Sequence, residues 1–393
     1  MEYRLNEVFD FIRNGASIKQ FDTKLGYPIT RIETIANSYI DTNKMGYADI
    51  EELGKLEDYL LKNGDILMSH INSEKHLGKS AIYENINKKI IHGMNLLCLR
   101  PDKEVCYPKY LNYFFNSNEF RRQLPRIVKK SVNQASFSVN DLKCLKVDLP
   151  GIETQKNISK VLDKAQELIG KRKEQIEALD DLVKSRFIEM FGDPIINTKK
   201  FDMKKIKEIS IYLKRGVSPK YVEQSNIKVI NQKCIYWRNL KVENCKYYDE
   251  NLKEKIEYIF LKQNDILINS TGTGTLGRCV KLNKIDNSEY IADSHVTVLR
   301  SISNNLNSDY FAALFEFTNV QDTIYRKCVN GSTNQIELSV SKLGEYLIMV
   351  PPIEFQNQFS EFVKQVDKLK LKIETNLKEL EDNFNSLMQK AFK

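Results

Sequence analysis

The chain has only four histidines and seven cysteines among its 393 residues, and no two cysteines form a C-x-x-C pair. His70, His76, His92 and His295 are too scattered for metal-ligand spacing and read as polar loop or satisfied core residues, so no metal site is expected. The odd number of cysteines argues against a disulfide framework, and Cys98, Cys144 and Cys279, beside apolar strand-like residues, read as small core hydrophobes or free thiols. After Met1 there is no apolar core of signal-peptide length, and no run is long enough to span a bilayer, so the expected compartment is the cytoplasm. Catalytic motifs are missing too. Pro351-Pro352 follows Val350, where an amino-methylation motif needs Asn or Asp. The glycine-rich stretch Gly272 to Gly277 lacks the G-K-[ST] of a phosphate-binding loop. Pro101-Asp102-Lys103-Glu104 holds the letters of a nuclease core but sits in a turn without strand partners. No catalytic residue is therefore assigned.

What the chain does have is a repeat. Lys62, Asp65, Ile66 and Leu67 recur as Lys262, Asp265, Ile266 and Leu267, and Leu99-Arg100 recurs as Leu299-Arg300. Tyr110, before Phe114 and Phe115, matches Tyr310, before Leu314, Phe315 and Phe317. Asn133-Gln134 matches Asn334-Gln335. Leu149-Pro150-Gly151-Ile152-Glu153-Thr154-Gln155 matches Val350-Pro351-Pro352-Ile353-Glu354-Phe355-Gln356, and Ser185 and Phe191 match Ser386 and Phe392. So many matches in one order imply two equivalent modules. A hydrophobic content of 41% suffices for two ordinary cores, and a net charge of +8 permits nucleic-acid binding without demonstrating it.

Each module reads as an α+β domain. In the first, Leu5 to Arg13 has helical spacing, Asp65 to Met68 and Leu96 to Leu99 read as buried strands, Pro108 to Gln123 as an aromatic-rich helix and Leu145 to Leu149 as a closing strand. The second repeats the plan with Lys204 to Leu213, Lys228 to Ile230, Asp265 to Ile268, Val296 to Leu299, the helix Asp309 to Arg326 and the strand Tyr346 to Val350. A heptad-like seam follows each module: Leu162, Ala165, Ile169, Ile176, Leu179 and Val183 in one, and Phe362, Val366, Leu369, Ile373, Leu377, Leu380, Phe384, Leu387 and Ala391 in the other. Phe-Gly-Asp-Pro at 191 to 194 ends the first helix.

The expected architecture is two tandem repeated domains separated and joined by a pair of long antiparallel coiled-coil helices, with pseudo-twofold symmetry. The expected boundaries are 1–150 and 193–350 for the domains, and 151–192 and 351–393 for the helices. At 1.5 Å per residue a helix of about 36 residues is roughly 54 Å long, against about 34 Å between successive major-groove faces of a duplex. The loops differ between copies where the frame agrees: Ser69 to Lys79 stands opposite Asn269 to Arg278. One scaffold with two loop sets suggests two readers of two targets.

The duplicated strand-proline-helix starts, the helix end Ser185 to Asp193 with its counterpart Ser386 to Phe392, and the turns at Gln134 and Gln335 resemble specificity subunits of type I restriction-modification enzymes over essentially the whole chain. One departure is Gly151, where a second proline is common. The resemblance implies that each domain is a target-recognition domain reading one half of a split, asymmetric double-stranded DNA site. It also implies that the paired helices set the gap and that two modification subunits dock on them. Those partners would carry S-adenosylmethionine and methylate adenine, and added restriction subunits would cleave DNA with ATP and magnesium. This chain would hold no cofactor and be non-catalytic.

Candidate DNA contacts are Arg121, Arg122, Arg126, Lys129, Lys130, Asn133 and Gln134 in the first copy and Arg326, Lys327, Asn330, Asn334 and Gln335 in the second. They mix phosphate-seeking cations with amides able to pair with adenine. Lys79 and Arg278 after the variable loops, Thr271 within one, and Arg215 after the expected helix complete the set. The rival readings are an autonomous methyltransferase or nuclease, which would act without partners, and a coiled-coil scaffold, which would be indifferent to duplex DNA.

Overall fold

A computed structural model describes the whole chain except residues 37, 85–87, 132–133, 257–258, 273, 284–287, 303–304 and 332–335. It divides into two compact units, Met1–Lys173 with Thr375–Lys393, and Glu174–Glu374. No helix among the described residues is long and apolar enough to cross a membrane.

The first unit is organised by an antiparallel sheet in the order Phe9–Asn14, Leu96–Pro101, Ile66–Ser69, Ser80–Ile82. Both of its faces are buried, which is why Ile66, Leu67 and Met68 form an unbroken apolar run. Ile66, Met68, Leu97 and Leu99 point into the helix-covered core, whereas Leu67, Ala81, Leu96 and Cys98 pack on the other side. The second unit repeats the order with Ser210–Arg215, Val296–Ser301, Ile266–Asn269 and Cys279–Lys281. It also carries a second sheet of Tyr221–Val222, Lys246–Tyr248, Ile227–Ile230 and Glu289–Ala292, whose last two strands are parallel. In the first unit that parallel pairing shrinks to a single bridge between Ile29 and Ile91.

Two helical expectations are corrected. Leu5 to Arg13 is a one-turn 3-10 helix, Leu5–Glu7, followed by the strand Phe9–Asn14, and Lys204 to Leu213 likewise becomes Ile206–Ile209 and Ser210–Arg215. The apparent helical period comes from a β-bulge. Between Phe9 and Phe11 the register slips by one residue, so Phe9 and Ile12, three apart, enter the same core. The same slip lies between Ser210 and Tyr212.

Each bulge also serves an ion pair. Asp65 accepts from Arg100 through Nε and Nη2 at 2.7 Å each, and from the Lys62 amide at 2.7 Å. Asp265 does the same with Arg300 and Lys262, all at 2.7 Å. The guanidinium then lies over the ring next to the slip, Phe11 at 4.6 Å or Tyr212 at 5.3 Å.

The aromatic helices are each broken in two, Pro108–Phe115 with Asn118–Gln123 and Ser308–Glu316 with Val320–Lys327. Ser117 forces the first break by capping the next turn, its Oγ accepting from the Phe120 amide. The long helices run Ile152–Phe191 and Ile353–Ala391. Gln155 starts the first: it is fully buried, accepts from the Tyr107 amide at 2.8 Å and donates to the Pro150 carbonyl at 2.8 Å. Gln356 repeats both bonds with Asn307 and Pro351.

Each helix ends in the other module's core. Phe191 lies 4.8 Å from the Tyr310 ring in the second unit, and Phe392 lies 4.9 Å from Tyr110 in the first. Within each unit the two helical segments run in opposite directions, tied by Lys173 to Glu381 at 2.9 Å in the first and by Lys370 to Asp180 at 2.7 Å in the second. Leu369 departs from the expected seam at 48% exposure, whereas Val366 is buried as expected and Val363, outside that seam, is buried as well.

Phe191→Ala should cost the second unit about 3–5 kcal/mol. Amide exchange along Ile266–Asn269 should accelerate while Ile66–Ser69 is unchanged. Glu316 Oε2 is buried without a partner among the described residues, close to Arg238, Asp180, Lys370 and Asp367. Burial raises its carboxyl from 4.5 to about 7. The folded state thus keeps a proton that the unfolded chain has released, so stability falls as pH rises between those values and is level above them. Glu316→Gln should abolish that fall in pH-dependent denaturation, gaining on the order of 2 kcal/mol above neutrality.

Candidate nucleic-acid interface

In both units a small β pairing brings the variable loop against the basic segment that follows the aromatic helices. In the first, Ala135–Ser136 pairs with Ile71–Asn72 on one side and Lys129–Lys130 on the other. In the second, Val329–Asn330 pairs with Glu337–Leu338, Glu337 bridges Thr271, and the Leu338 amide donates to the Ser270 carbonyl at 2.8 Å. Gly78 and Gly277 turn these loops with φ of +73° and +79°. A Cβ on Gly78 would also stand 2.8 Å from the Leu124 side chain, so only glycine fits.

In the first unit Arg121, Arg122, Arg126, Lys129, Lys130 and Gln134 are exposed. Arg122 has a loose contact with Glu119 at 3.7 Å, and Lys130 is paired with Glu74 at 2.8 Å. Arg121 and Lys130 rim an open cleft of about 370 Å³ floored by Leu77, Phe120, Leu124 and Val128. Lys79 is partly buried and donates to the Ala36 carbonyl at 2.8 Å, so it braces its own loop. Asn133, Asn334 and Gln335 lie outside the described residues.

In the second unit Arg326, Lys327 and Asn330 are exposed. Arg215, on a strand rather than after a helix, is bound to Glu337 at 2.9 Å and to the Leu338 carbonyl at 2.9 Å, which neutralises its charge. Thr271 Oγ1 donates to Gln232 Oε1 at 3.0 Å and lies 3.2 Å from His295 Nδ1. Arg278 lies 5.4 Å over the Tyr236 ring, which also carries Lys241 Nζ at 4.4 Å. Its Nε is buried without a hydrogen-bond partner among the described residues, as is Oδ1 of fully buried Asn269. Each such atom costs about 1–3 kcal/mol until something supplies a bond.

Sequence reasoning missed Gln232, Tyr236, Lys241 and His295. The interleaving of cations and aromatics from Lys233 through Tyr236, Trp237 and Arg238 to Lys241 was the available signal. Two of the four histidines are buried, and burial lowers both. His92 falls to about 4 and bonds the Leu96 carbonyl at 2.8 Å. His70 is less satisfied, its Nδ1 having no partner. Among the described residues no three His, Cys, Asp or Glu side chains gather as a metal-ligand set.

The fold defines a tandem-repeat α+β protein with a loop and basic segment joined on each unit. The chain matches the type I restriction modification DNA specificity domain over residues 1–178 and 198–382, and belongs to that family. It is 43% identical over 205 residues to a candidate MjaX type I restriction enzyme specificity subunit of Methanocaldococcus jannaschii, covering 52% of this chain and 48% of that protein. The matched stretch is thus about half the length of that relative. The type I restriction enzyme MjaVIII specificity subunit of the same organism is 25% identical over 319 residues, covering 75% of this chain and 71% of the relative. The crystal structure of a type I restriction-modification S subunit from M. genitalium shares the fold with a TM-score of 0.59 at 14% identity, covering 100% of this chain and 96% of that one.

The difference between free and neutralised cations is measurable with an arbitrary polyanion. Arg126→Ala and Lys129→Ala should each elute from heparin at lower salt than the parent, whereas Arg215→Ala combined with Glu337→Ala, which removes a neutral pair, should elute unchanged.

Proposed function

We propose that this chain is the DNA-reading subunit of a type I restriction-modification complex, each unit recognising one part of a split, asymmetric site. The observation that supports this best is a shared frame with unlike side chains at one strand end. Asp65, Arg100, Tyr110 and Gln155 make the same bonds as Asp265, Arg300, Tyr310 and Gln356. The loop junctions, by contrast, present Ser69, Ile71 and Lys79 in one unit and Asn269, Thr271 and Arg278 in the other. An invariant frame holding different hydrogen-bonding groups suits two readers of different bases. Exposed Arg126, Lys129, Arg326 and Lys327 suit phosphate contacts that set register.

On this reading the chain is non-catalytic and holds no cofactor. Two modification subunits bring S-adenosylmethionine and methylate an adenine on each strand, and restriction subunits, where present, bring ATP and magnesium. Like frames offer like docking surfaces to like partners.

The test is to map methylated adenines in host DNA with and without this gene, using chain co-purified with its modification subunit. Deletion should erase one split, asymmetric motif. An unchanged methylome despite a formed complex would overturn the reading in favour of a scaffold. In the purified complex, Arg126→Ala and Lys129→Ala should each reduce the slope of log affinity against log salt by about 1 and leave the motif unaltered.

A further inference from the structure

Arg278 differs from three other arginines of the second unit. Arg215 faces Glu337, Arg238 faces Asp180 and Asp367, and Arg300 faces Asp265, whereas Arg278 has no carboxylate partner among the described residues. It is also no ordinary phosphate cation, since it is partly buried where Arg326 is exposed. Its guanidinium lies over Tyr236, and its main chain is fixed at the strand end, the carbonyl accepting from the Asn269 amide at 2.9 Å. Stacking on a ring leaves the edge of a guanidinium free to donate two parallel hydrogen bonds. The buried, unpartnered Nε shows that the protein itself does not complete its bonding.

Resting on the DNA-reading function proposed above, we propose that Arg278 is a specificity-determining residue of the second unit. It donates two hydrogen bonds to O6 and N7 of a guanine in the major groove, with Tyr236 setting the plane of its guanidinium. Guanine is the base whose edge offers two adjacent acceptors to that fork. Neighbouring Thr271 has one hydroxyl proton, given to Gln232 Oε1, so His295 Nδ1 donates to Thr271 and holds the surrounding loop in place. The first unit does not copy the device. Lys79 stands at the matching position with its ammonium on the Ala36 carbonyl.

The test uses the full chain in complex with its modification subunit. Binding is measured by competition with duplexes that carry the mapped motif, one base pair replaced at a time. The parent should lose about tenfold or more when one particular G:C pair is replaced. Arg278→Ala and Arg278→Lys should reduce that loss to about twofold, leaving discrimination at every other position unchanged. Lysine keeps the charge on the ring but cannot present two parallel donors, so its failure separates base reading from simple charge. Full discrimination retained by either variant overturns the proposal, as does a half-site without a G:C pair. Unfolding of both variants assigns Arg278 a structural role and overturns it equally. If the parent itself shows no sequence preference, the DNA-reading function falls instead.

Discussion

The carboxylate at the start of each unit's central strand sets the geometry of everything after it. Asp65 and Asp265 are almost wholly buried, so each must be matched bond for bond. The match is supplied by a backbone amide three residues earlier and by both faces of an arginine fork from the next strand. That arginine in turn requires an aromatic ring beneath it, and the ring reaches that place only because the outer strand slips by one residue. Bulge, ring, guanidinium and carboxylate therefore form one unit of construction. A pair of this kind adds little net stability compared with an apolar replacement, but losing either member leaves a bare charge inside. It fixes register, and register fixes where the strand's far end delivers its loop.

The frame and the variable positions occupy opposite ends of the same strand. At the Asp65 and Asp265 end the two copies are superimposable in their hydrogen bonds. At the Ser69 and Asn269 end they share main-chain bonds, the glycine that turns the loop and the pairing that ties it to the basic segment, but not side chains. Rigidity at one end lets the other vary without disturbing the core, which suits the proposed reading of different sequences by the two halves.

Much of this was legible in the sequence, for identifiable reasons. The buried strands announced themselves because a sheet covered on both faces needs an unbroken apolar run, and the repeated Asp, Arg, Tyr and Gln stood out because each makes a bond that tolerates no substitute. The long helices were legible from their seam, though Leu369 fitted it by spacing and is exposed. Leu5 to Arg13 misled because a bulge gives a strand the three-residue spacing of a helix. At the candidate interface, Lys79 and Arg215 have the right side chains in the right region but are bonded to Ala36 and Glu337, which only tertiary contacts reveal. Gln232 and His295 were illegible for the same reason, since each meets Thr271 only through tertiary folding, from well before and well after the Gly272 to Arg278 loop.

The ring of Phe392 closes a core whose other members, Tyr110 and Phe114 among them, are synthesised far earlier. At typical rates of about 5–20 residues per second, the ribosome needs roughly 10–40 s to extend the chain from Lys173 to Thr375. During that interval the first unit has a nascent core with an open aromatic slot, while the second unit, continuous from Glu174 to Glu374, can already complete itself. The first unit's contacts are thus completed by residues that leave the ribosome after those of the second unit. The first unit is therefore discontinuous in sequence, and its aromatic core includes residues from the last helix that lie more than 200 positions beyond the rest of the unit.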